Sequence, residues 1–195
     1  MRTPALPLFA ALAALAALAA AGPAFAGPYE DAKAAYDRGD NTAALQIWQP
    51  LAQAGEAKAQ FWLGAMYDLG RGVPQDHAMA ASWYRYAAEQ GLPNAQHNLA
   101  HMYEMGHGLP ADYAMSAAVM WYRRAAEQGY SAAQLNLGAL YTEGRGVKRD
   151  YVQAYKWLTL AGADHNRKFV SDRMTPQQVA AAEELVRAWS AKPEK

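Results

Sequence analysis

The sequence predicts an all-α fold, an α-solenoid in which antiparallel helix pairs stack side by side. One pattern occurs three times: an apolar stripe of helical period, two glycines one residue apart, an aspartate, and a second stripe that carries tryptophan. The repeat is 36 residues long from Gly70 to Gly106 and 38 residues long from Gly106 to Gly144. Units of this length cannot bury their apolar faces alone and therefore stack. The repeated residues are Ala59, Leu63, Gly64, Tyr67, Gly70, Gly72, Val73, Asp76, Ala80, Trp83 and Ala87; Ala95, Leu99, Ala100, Tyr103, Gly106, Gly108, Leu109, Asp112, Ala118, Trp121 and Ala125; and Ala133, Leu137, Gly138, Tyr141, Gly144, Gly146, Val147, Asp150, Ala154, Trp157 and Ala161.

The chain begins with a segment that we expect to be removed. Arg2 precedes an apolar run of 14 residues from Leu8 to Ala21, and residues 24–26 read Ala-Phe-Ala, a small-x-small cleavage pattern. The run is shorter than the ~18 residues that a membrane-spanning helix needs. We therefore predict a secretory signal peptide over residues 1–26, with an uncleaved membrane anchor as the alternative.

Composition excludes some cellular locations for the protein and some classes of binding partner. The sequence contains no cysteine, so it has no disulfide and lacks the residue through which a bacterial lipoprotein is anchored. Without Arg2, 17 basic residues stand against 18 acidic ones, and no basic block is present. Nucleic acid and anionic membrane surfaces need concentrated basic charge and are therefore poor candidate partners. We expect a periplasmic or secreted protein with no stable membrane insertion after signal cleavage.

Ten helices are predicted beyond residue 26. In each repeat the small residue of the first helix, Gly64, Ala100 or Gly138, lets a neighbouring backbone approach, and the tryptophan of the second helix fills the space between hairpins. Thr175 followed by Pro176 marks the start of the last helix, because a hydroxyl caps it and proline suits its first position. The predicted helices are 28–38, 41–54, 57–69, 76–90, 93–105, 113–128, 131–143, 150–162, 165–172 and 176–191.

The glycine turn looks like a phosphate-binding loop, but we interpret it as structural. The first glycine of each turn falls where a helix ends in a left-handed residue, and the aspartate falls where the next helix needs an N-cap. No Lys-Ser or Lys-Thr follows, and a nucleotide site would occur once rather than in every repeat. The two extra residues of the second repeat lie between Asp112 and Ala118, around Met115, and lengthen a loop or a helix start.

The segments on either side of the repeats are expected to cap the solenoid. The upstream segment carries a degenerate repeat with Tyr36 and Trp48 but only a two-residue turn at Gly39. Downstream, Gly162 to His165 replaces the Ala-Glu-Gln-Gly that ends the first repeat, so the solenoid is terminated there. The predicted organisation is a signal peptide, 1–26; a degenerate capping repeat, 27–58; three repeats, 59–94, 95–132 and 133–163; and C-terminal capping helices and tail, 164–195, frayed over 191–195.

The repeats resemble Sel1-like repeats, a relative of the tetratricopeptide class with a longer turn between its helices. The resemblance rests on AQHNLAHMYEMGHGLPADY, AQLNLGALYTEGRGVKRDY and WYRRAAEQGYSAAQ and covers residues 29–163. It implies a right-handed superhelix whose first helices line a concave groove, with adaptor or assembly roles toward peptides and partner proteins. The stretch RMTPQQVAAAEELVRAW resembles the terminal helix of exported bacterial members. A cysteine-rich branch is associated with penicillins, but its paired cysteines are absent here.

In this geometry the outward positions of the first helices form a candidate binding groove. Such a surface suits an extended or helical peptide, with apolar anchors in pockets and amides that bond the peptide backbone. Asn98 and Asn136 occupy matching positions and either hold a bound chain or bond a neighbouring helix. Helical phase favours exposure of Trp62 over packing against the N-terminal cap. The candidate groove residues are Phe61, Trp62, Asp68, His97, Asn98, His101, Glu104, Asn136 and Glu143.

Chemistry-bearing motifs are sparse. His97 and His101 have the spacing of metal ligands on one helix face, with Glu104 one turn further, which makes the histidines weak metal candidates. The sequence has no H-E-x-x-H and no G-x-S-x-G motif, so no catalytic residue is assigned and no cofactor is expected.

Three functions stay open at this point. The first is an exported scaffold, not an enzyme, that binds a peptide or partner protein in its groove as an adaptor or regulator in a cell-envelope process. The second is an enzyme that acts on cell-wall or β-lactam substrates. The third is a metal-responsive envelope sensor built on His97 and His101. The repeats and the groove favour the first.

Overall fold

The computed structural model describes residues 27–107 and 114–190. Within them the chain is all-helical, which confirms the predicted fold class. Three predicted features lie outside the described residues: the signal peptide, the second-repeat turn with Gly108, Leu109 and Asp112, and the tail after residue 190. The ten helices are α1 (Pro28–Asp37), α2 (Asn41–Gln53), α3 (Ala57–Leu69), α4 (His77–Glu89), α5 (Pro93–Met105), α6 (Ala114–Glu127), α7 (Ser131–Glu143), α8 (Tyr151–Leu160), α9 (Asp164–Ser171) and α10 (Pro176–Arg187).

Helices that follow one another in the chain pack against one another. Contacts run from α1 to α2 and onward, pair by pair, to α8 and α9, and the last helix α10 returns to pack on α8. The short connections make neighbouring helices antiparallel, so α3–α4, α5–α6 and α7–α8 are three stacked hairpins. The core is continuous along this stack because each hairpin buries its apolar faces against the next.

The turns within the hairpins have the structural role that the sequence predicts. Gly70, Gly106 and Gly144 end α3, α5 and α7 in the left-handed conformation, with φ of 66°, 69° and 75°. Asp76 and Asp150 cap α4 and α8, and each carboxylate accepts hydrogen bonds from two backbone N–H groups of the first turn. In the described turns the interpretation of these glycines and aspartates as caps is confirmed.

The second glycine of the turn brings successive repeats together. A Cβ atom on Gly146 would lie 2.5 Å from the carbonyl oxygen of Met115, so the turn of the third repeat lies directly on the first turn of α6. Helix α6 has 14 residues where α4 has 13, so part of the two-residue insertion extends its start. The rest of the insertion lies outside the described residues.

The small residues of the first helices permit the close approach that the sequence predicts. A Cβ on Gly64 would lie 2.8 Å from the ring of Tyr84, and one on Gly138 would lie 2.7 Å from Cγ of Leu158. Helices α3 and α7 therefore lie against the large side chain of their own second helix, with no room for a methyl group at the contact, whereas α5 accommodates the methyl group of the fully buried Ala100 at this position.

The side chain that fills the hairpin is the residue after the expected tryptophan. Tyr84 and Tyr122 are 1% and 0% exposed, whereas Trp83 is only half-buried. Trp121 and Trp157 are buried, at 6% and 3% exposed, but lie closer to the surface than the residue that follows each of them. Trp83 nevertheless packs against the buried cluster of α1, α2 and α3, and Trp121 and Trp157 belong to the core. The prediction for tryptophan was therefore incomplete: it missed the more deeply buried residue that follows each of them, since helical phase alone does not separate two adjacent large residues.

Buried glutamines join each hairpin to the next, a feature that we call the glutamine ladder. Gln60, Gln96 and Gln134 are buried at the starts of α3, α5 and α7, and each Nε2 donates to a carbonyl oxygen of the preceding second helix at 3.1 Å. Gln90 then donates to Oε1 of Gln60 at 2.7 Å, and Gln128 to Oε1 of Gln96 at 2.8 Å. These bonds engage the Nε2 groups of all five glutamines and the oxygens of Gln60 and Gln96, which would otherwise be costly to bury.

Candidate functional site

One position of the first helices recurs along the solenoid, and we call it the groove column: Trp62, Asn98, Asn136 and Phe169. Its register is set by the buried residue that follows each member in the chain. Phe169 belongs to α9, which sequence analysis assigned to a cap and which occupies the place of a further first helix. Each member lies beside a large buried residue of the preceding second helix. In order along the chain, these neighbours are Trp48, Tyr84, Tyr122 and Leu158.

In the middle of the groove, His97 links the two asparagines of the column. Nδ1 of His97 lies 3.2 Å from Oδ1 of Asn98, on the same helix. Nε2 of His97 lies 3.3 Å from Nδ2 of Asn136, which belongs to the next repeat. The ring also contacts those of Tyr122 and Tyr130, with centroids 5.5 and 5.3 Å away. A polar chain therefore crosses from α5 to α7.

Each asparagine also meets a buried tyrosine that has a carboxylate on its other side. Asn98 and Asp68 both hydrogen-bond Tyr84. Asn136 contacts Tyr122, whose hydroxyl donates to Oε2 of Glu104 at 2.9 Å. Burial is the main cause that raises the pKa of both tyrosines, so both stay protonated donors. Carboxylate, tyrosine and asparagine thus recur as one set in two successive repeats, and both asparagines bond a neighbouring helix.

The carboxylates of the candidate groove have polar partners within the chain. Nη1 of Arg145 lies 3.2 Å from Glu104 and 3.3 Å from Glu143, which ties both to the turn of the third repeat. Nδ1 of His77 lies 3.0 Å from Asp68. Two of the groove carboxylates therefore share one arginine, and the third contacts a histidine.

At the N-terminal end the column is closed by aromatic packing. The indole of Trp62 stacks on Trp48 with ring centroids 5.1 Å apart and planes at 9°, and its Nε1 donates to the hydroxyl of Tyr29 at 2.7 Å. Tyr36 contacts its ring as well, and the ring of Phe61 lies against it edge-on. The expectation that Trp62 is exposed is wrong: it is half-buried, because α1 supplies neighbours that the phase of α3 alone does not reveal.

At the C-terminal end the column stays open except for the guanidinium of Arg173, which stacks on the ring of Phe169 with its Cζ 3.6 Å from the ring centroid. Phe169 is 47% exposed and lies at a cavity of about 240 Å³ between α7, α8 and α9. Sequence analysis missed this site, although Phe169 stands before the buried Val170 as Asn98 stands before Leu99. That register was the signal that could have revealed it. The cavity is lined by Ala139, Thr142, Glu143, Leu158, His165, Asn166 and Phe169.

The two histidines that were weak metal candidates have different surroundings. His101 is exposed, whereas both ring nitrogens of His97 face amide groups. Among the residues that the structure describes, no group of three or more histidine, aspartate or glutamate side chains is arranged to hold a metal ion. His107 instead stacks on His77, with ring centroids 4.6 Å apart.

Comparison with known proteins identifies the repeats. The family model described as Sel1 repeat matches three times, over residues 57–92, 93–130 and 131–166. The crystal structure of a Sel1 repeat protein from Oxalobacter formigenes is 34% identical, with a TM-score of 0.65 over 69% of this chain and 55% of that one. A protective antigen of uropathogenic Escherichia coli strains, described as displaying an SLR fold, is 31% identical, with a TM-score of 0.55 over 74% of this chain and 40% of that one.

Two further results belong with these comparisons, one on the length that is matched and one on curated proteins. The chain spans between two fifths and just over half of the length of these two structures. A search of curated proteins found no significant match.

In the parts of the chain that the structure covers, none of the helices has both the length and the apolar character needed to cross a membrane.

Proposed function

The chain belongs to the Sel1 repeat family, whose helical scaffolds generally mediate protein–protein interaction, and from this premise we propose that it is an exported scaffold that holds a peptide segment of a partner protein in its groove. The binding surface runs from Asn98 through Asn136 to Phe169. Such a scaffold acts as an adaptor or regulator in a cell-envelope process.

The observation that carries the proposal is the bonding capacity left on the two groove asparagines. Each side-chain amide has two N–H donors and an oxygen with two lone pairs. Asn98 uses one donor toward Tyr84 and one lone pair toward His97, so one of each is left. Asn136 directs its donors to His97 and Tyr122, which leaves its oxygen. Both side chains are half-buried and reach the groove surface, where peptide N–H and C=O groups can pair with them.

The open C-terminal end supplies an apolar anchor next to this row of amides. The cavity has Leu158, Ala139 and Phe169 on its apolar side, and its volume of about 240 Å³ suits one large side chain of a peptide. Binding energy in peptide grooves concentrates in such anchor pockets, while backbone bonds fix the register. We therefore expect a segment with a polar stretch over the asparagines and an aliphatic or aromatic residue at the cavity.

The proposal is tested by selecting ligands rather than by searching for a known partner. A displayed library of random peptides of about 12 residues, long enough to lie along several repeats, is panned against the protein expressed from its full sequence. We expect selected peptides to lose about tenfold or more in affinity for the Asn98→Ala/Asn136→Ala variant, since each lost bond to a polar partner costs on the order of 1 kcal/mol.

The matched control is Gln46→Ala/Gln177→Ala, which removes two exposed amides from α2 and α10, away from the groove. Circular dichroism checks that all variants keep their helicity. Peptides that bind the asparagine variant as tightly as the control would remove the groove from the proposal.

Export is tested separately by the mass of the processed protein. After expression in a bacterium, we expect the protein in the periplasm or the medium to start at Gly27. A product that retains residue 1 and stays with the membrane would contradict this part of the proposal and favour the uncleaved anchor. The enzyme and metal-sensor alternatives stay predictions of the sequence.

A further inference from the structure

We propose that His97 is a positioning residue: it holds the amides of Asn98 and Asn136 in the orientation that binds a peptide, and it turns the amide of Asn136 out of that orientation when its ring takes up a second proton. The inference rests on the proposed function of the groove. In the sequence analysis His97 is a candidate contact to the bound partner, whereas in this inference it acts on binding through Asn98 and Asn136.

The positions that match His97 in adjacent repeats show that an imidazole is not a requirement of the fold. Phe61 stands 36 residues earlier and Leu135 stands 38 residues later, and both are apolar. Phe61 packs on Tyr84 with centroids 5.7 Å apart, as His97 packs on Tyr122 at 5.5 Å. An apolar side chain therefore satisfies the packing at this position, and packing alone does not require the two ring nitrogens of His97.

The orientation of Asn136 is fixed by Tyr122, independently of the histidine. A phenolic hydroxyl has one proton, and that of Tyr122 goes to Glu104. Toward Asn136 the hydroxyl can therefore only accept, so it faces the NH₂ group of the amide. The same reasoning applies one repeat earlier, where Tyr84 lies between Asp68 and Asn98.

With the amides oriented in this way, one form of His97 fits both of them. Nδ1 faces the carbonyl oxygen of Asn98 and must carry the proton, whereas Nε2 faces the NH₂ group of Asn136 and must be bare. The other neutral tautomer would set hydrogen against hydrogen at Asn136 and lone pair against lone pair at Asn98. The groove thus selects a neutral ring with its proton on Nδ1.

A second proton breaks this arrangement at one end only. Protonated Nε2 would point an N–H at the NH₂ group of Asn136, so that amide must turn and lose its bond to Tyr122. The bond from Nδ1 to Asn98 survives. The ionisable groups that face the ring are His101 and Glu104 on its own helix, Tyr122 on α6, and Tyr130 before α7. Burial lowers the pKa of His97, so the neutral form prevails at neutral pH and the protonated form appears on acidification.

The first experiment needs no ligand. Nuclear magnetic resonance of the ¹⁵N-labelled protein, expressed from its full sequence, reports the tautomer of each histidine and the side-chain amides of the asparagines as pH falls. We expect the proton of His97 on Nδ1, and we expect the amide signals of Asn136 to move with the titration of His97 and not with that of His101. A ring protonated on Nε2, or Asn136 signals that ignore His97, would overturn the positioning role.

The second experiment uses peptides selected on the wild-type protein at about pH 7.5, with affinities measured again at a second pH at which the resonance experiment shows His97 to be protonated. Because burial lowers the pKa of His97, this pH lies below the ordinary histidine value of ~6.5. We expect affinity to fall by about tenfold on acidification, the effect of one lost hydrogen bond. In His97→Gln the fall should shrink to about twofold, while His101→Gln should behave as the wild type. His97→Phe should fold, as Phe61 does in its repeat, yet bind weakly at both pH values.

The two readouts separate the inference from the proposed function. Coupled Asn136 signals together with pH-independent peptide binding would overturn the link between His97 and the groove. If no peptide is selected by the wild type, the proposed function fails, while the resonance experiment still decides whether His97 positions Asn136.

Discussion

The residues at the two ends of the groove column occupy equivalent positions of the repeat but differ in packing and exposure. At the N-terminal end Trp62 stacks on Trp48 and bonds Tyr29, so its half-buried ring is packed against the core. At the C-terminal end Phe169 is half-exposed beside a cavity. Both residues precede a buried apolar residue on a first helix, and both lie next to a large residue of the preceding second helix. Position in the repeat alone therefore does not decide which aromatic residue can contact a partner.

The difference comes from where each cap packs. Helix α1 brings Tyr29 and Tyr36 against the ring of Trp62 and covers it. The C-terminal helix α10 packs on α8, on the side of the second helices, and at this end the guanidinium of Arg173 stacks on the ring of Phe169 in place of an aromatic cluster. One cap thus closes the groove and the other leaves it open, which gives the groove a direction along the solenoid.

The largest expected effect distinguishes the two ends by stability. Trp62→Ala should lower the free energy of unfolding by about 2–3 kcal/mol, because it removes a half-buried indole from a packed aromatic cluster. Phe169→Ala should change it by less than about 1 kcal/mol, because much of that ring is already in solvent. Urea unfolding followed by circular dichroism measures both. Equal losses would mean that the two ends are packed alike.

The next effect distinguishes the two ends by binding. Phe169→Ala should weaken selected peptides by about tenfold, because it removes one wall of the anchor cavity. Phe169→Leu, which keeps an apolar wall, should retain most of the affinity. Trp62→Phe, which keeps an aromatic ring in the cluster, should leave binding within about threefold of the wild type. Calorimetry at a temperature well below the unfolding transition measures all three variants. Stronger losses from Trp62→Phe than from Phe169→Ala would reverse the direction assigned to the groove.

The smallest effect sets the middle of the groove apart from both ends. The folded state lowers the pKa of His97, so below the ordinary histidine pKa of ~6.5 the unfolded chain binds the proton more readily and stability falls. Above that pH this contribution is fully present. His97→Gln should flatten the corresponding part of the pH profile of unfolding, whereas His101→Gln should keep it. An unchanged profile in His97→Gln would show that the ring is not held neutral by the fold.

The sequence predicted the helices well because their ends depend on local chemistry. Gly144 ends a helix by its left-handed backbone, and Thr175 forms a capping box with Gln178, both within a few residues. The repeat also made the stacking predictable, since each hairpin meets a similar neighbour. These features require no knowledge of distant side chains.

The groove was less predictable because its properties arise between helices that are distant in the chain. Trp62 is covered by Tyr29, which lies 33 residues earlier, and no periodicity within α3 contains that information. Asn136 meets His97 across 39 residues, so the tautomer of the ring follows only from the packed structure. Phe169 was overlooked because the altered connection after α8 concealed its register. The nine candidate groove residues themselves stay predictions until binding is measured.

The glutamine ladder limits how such a chain can change in length. Equivalent glutamines bond equivalent carbonyl oxygens in successive hairpins, as Gln96 bonds Ala88 and Gln134 bonds Ala126. Removal of residues 93–130 as one block would therefore leave Gln134 facing the carbonyl oxygen of Ala88 in place of that of Ala126. Loss of α5 alone would instead leave Gln128 without the acceptor oxygen of Gln96. Insertion or deletion of a complete hairpin conserves the buried glutamine bonds, whereas insertion or deletion of part of a hairpin leaves a buried amide group without its partner. The groove can therefore be adapted to longer or shorter ligands only in whole-repeat steps.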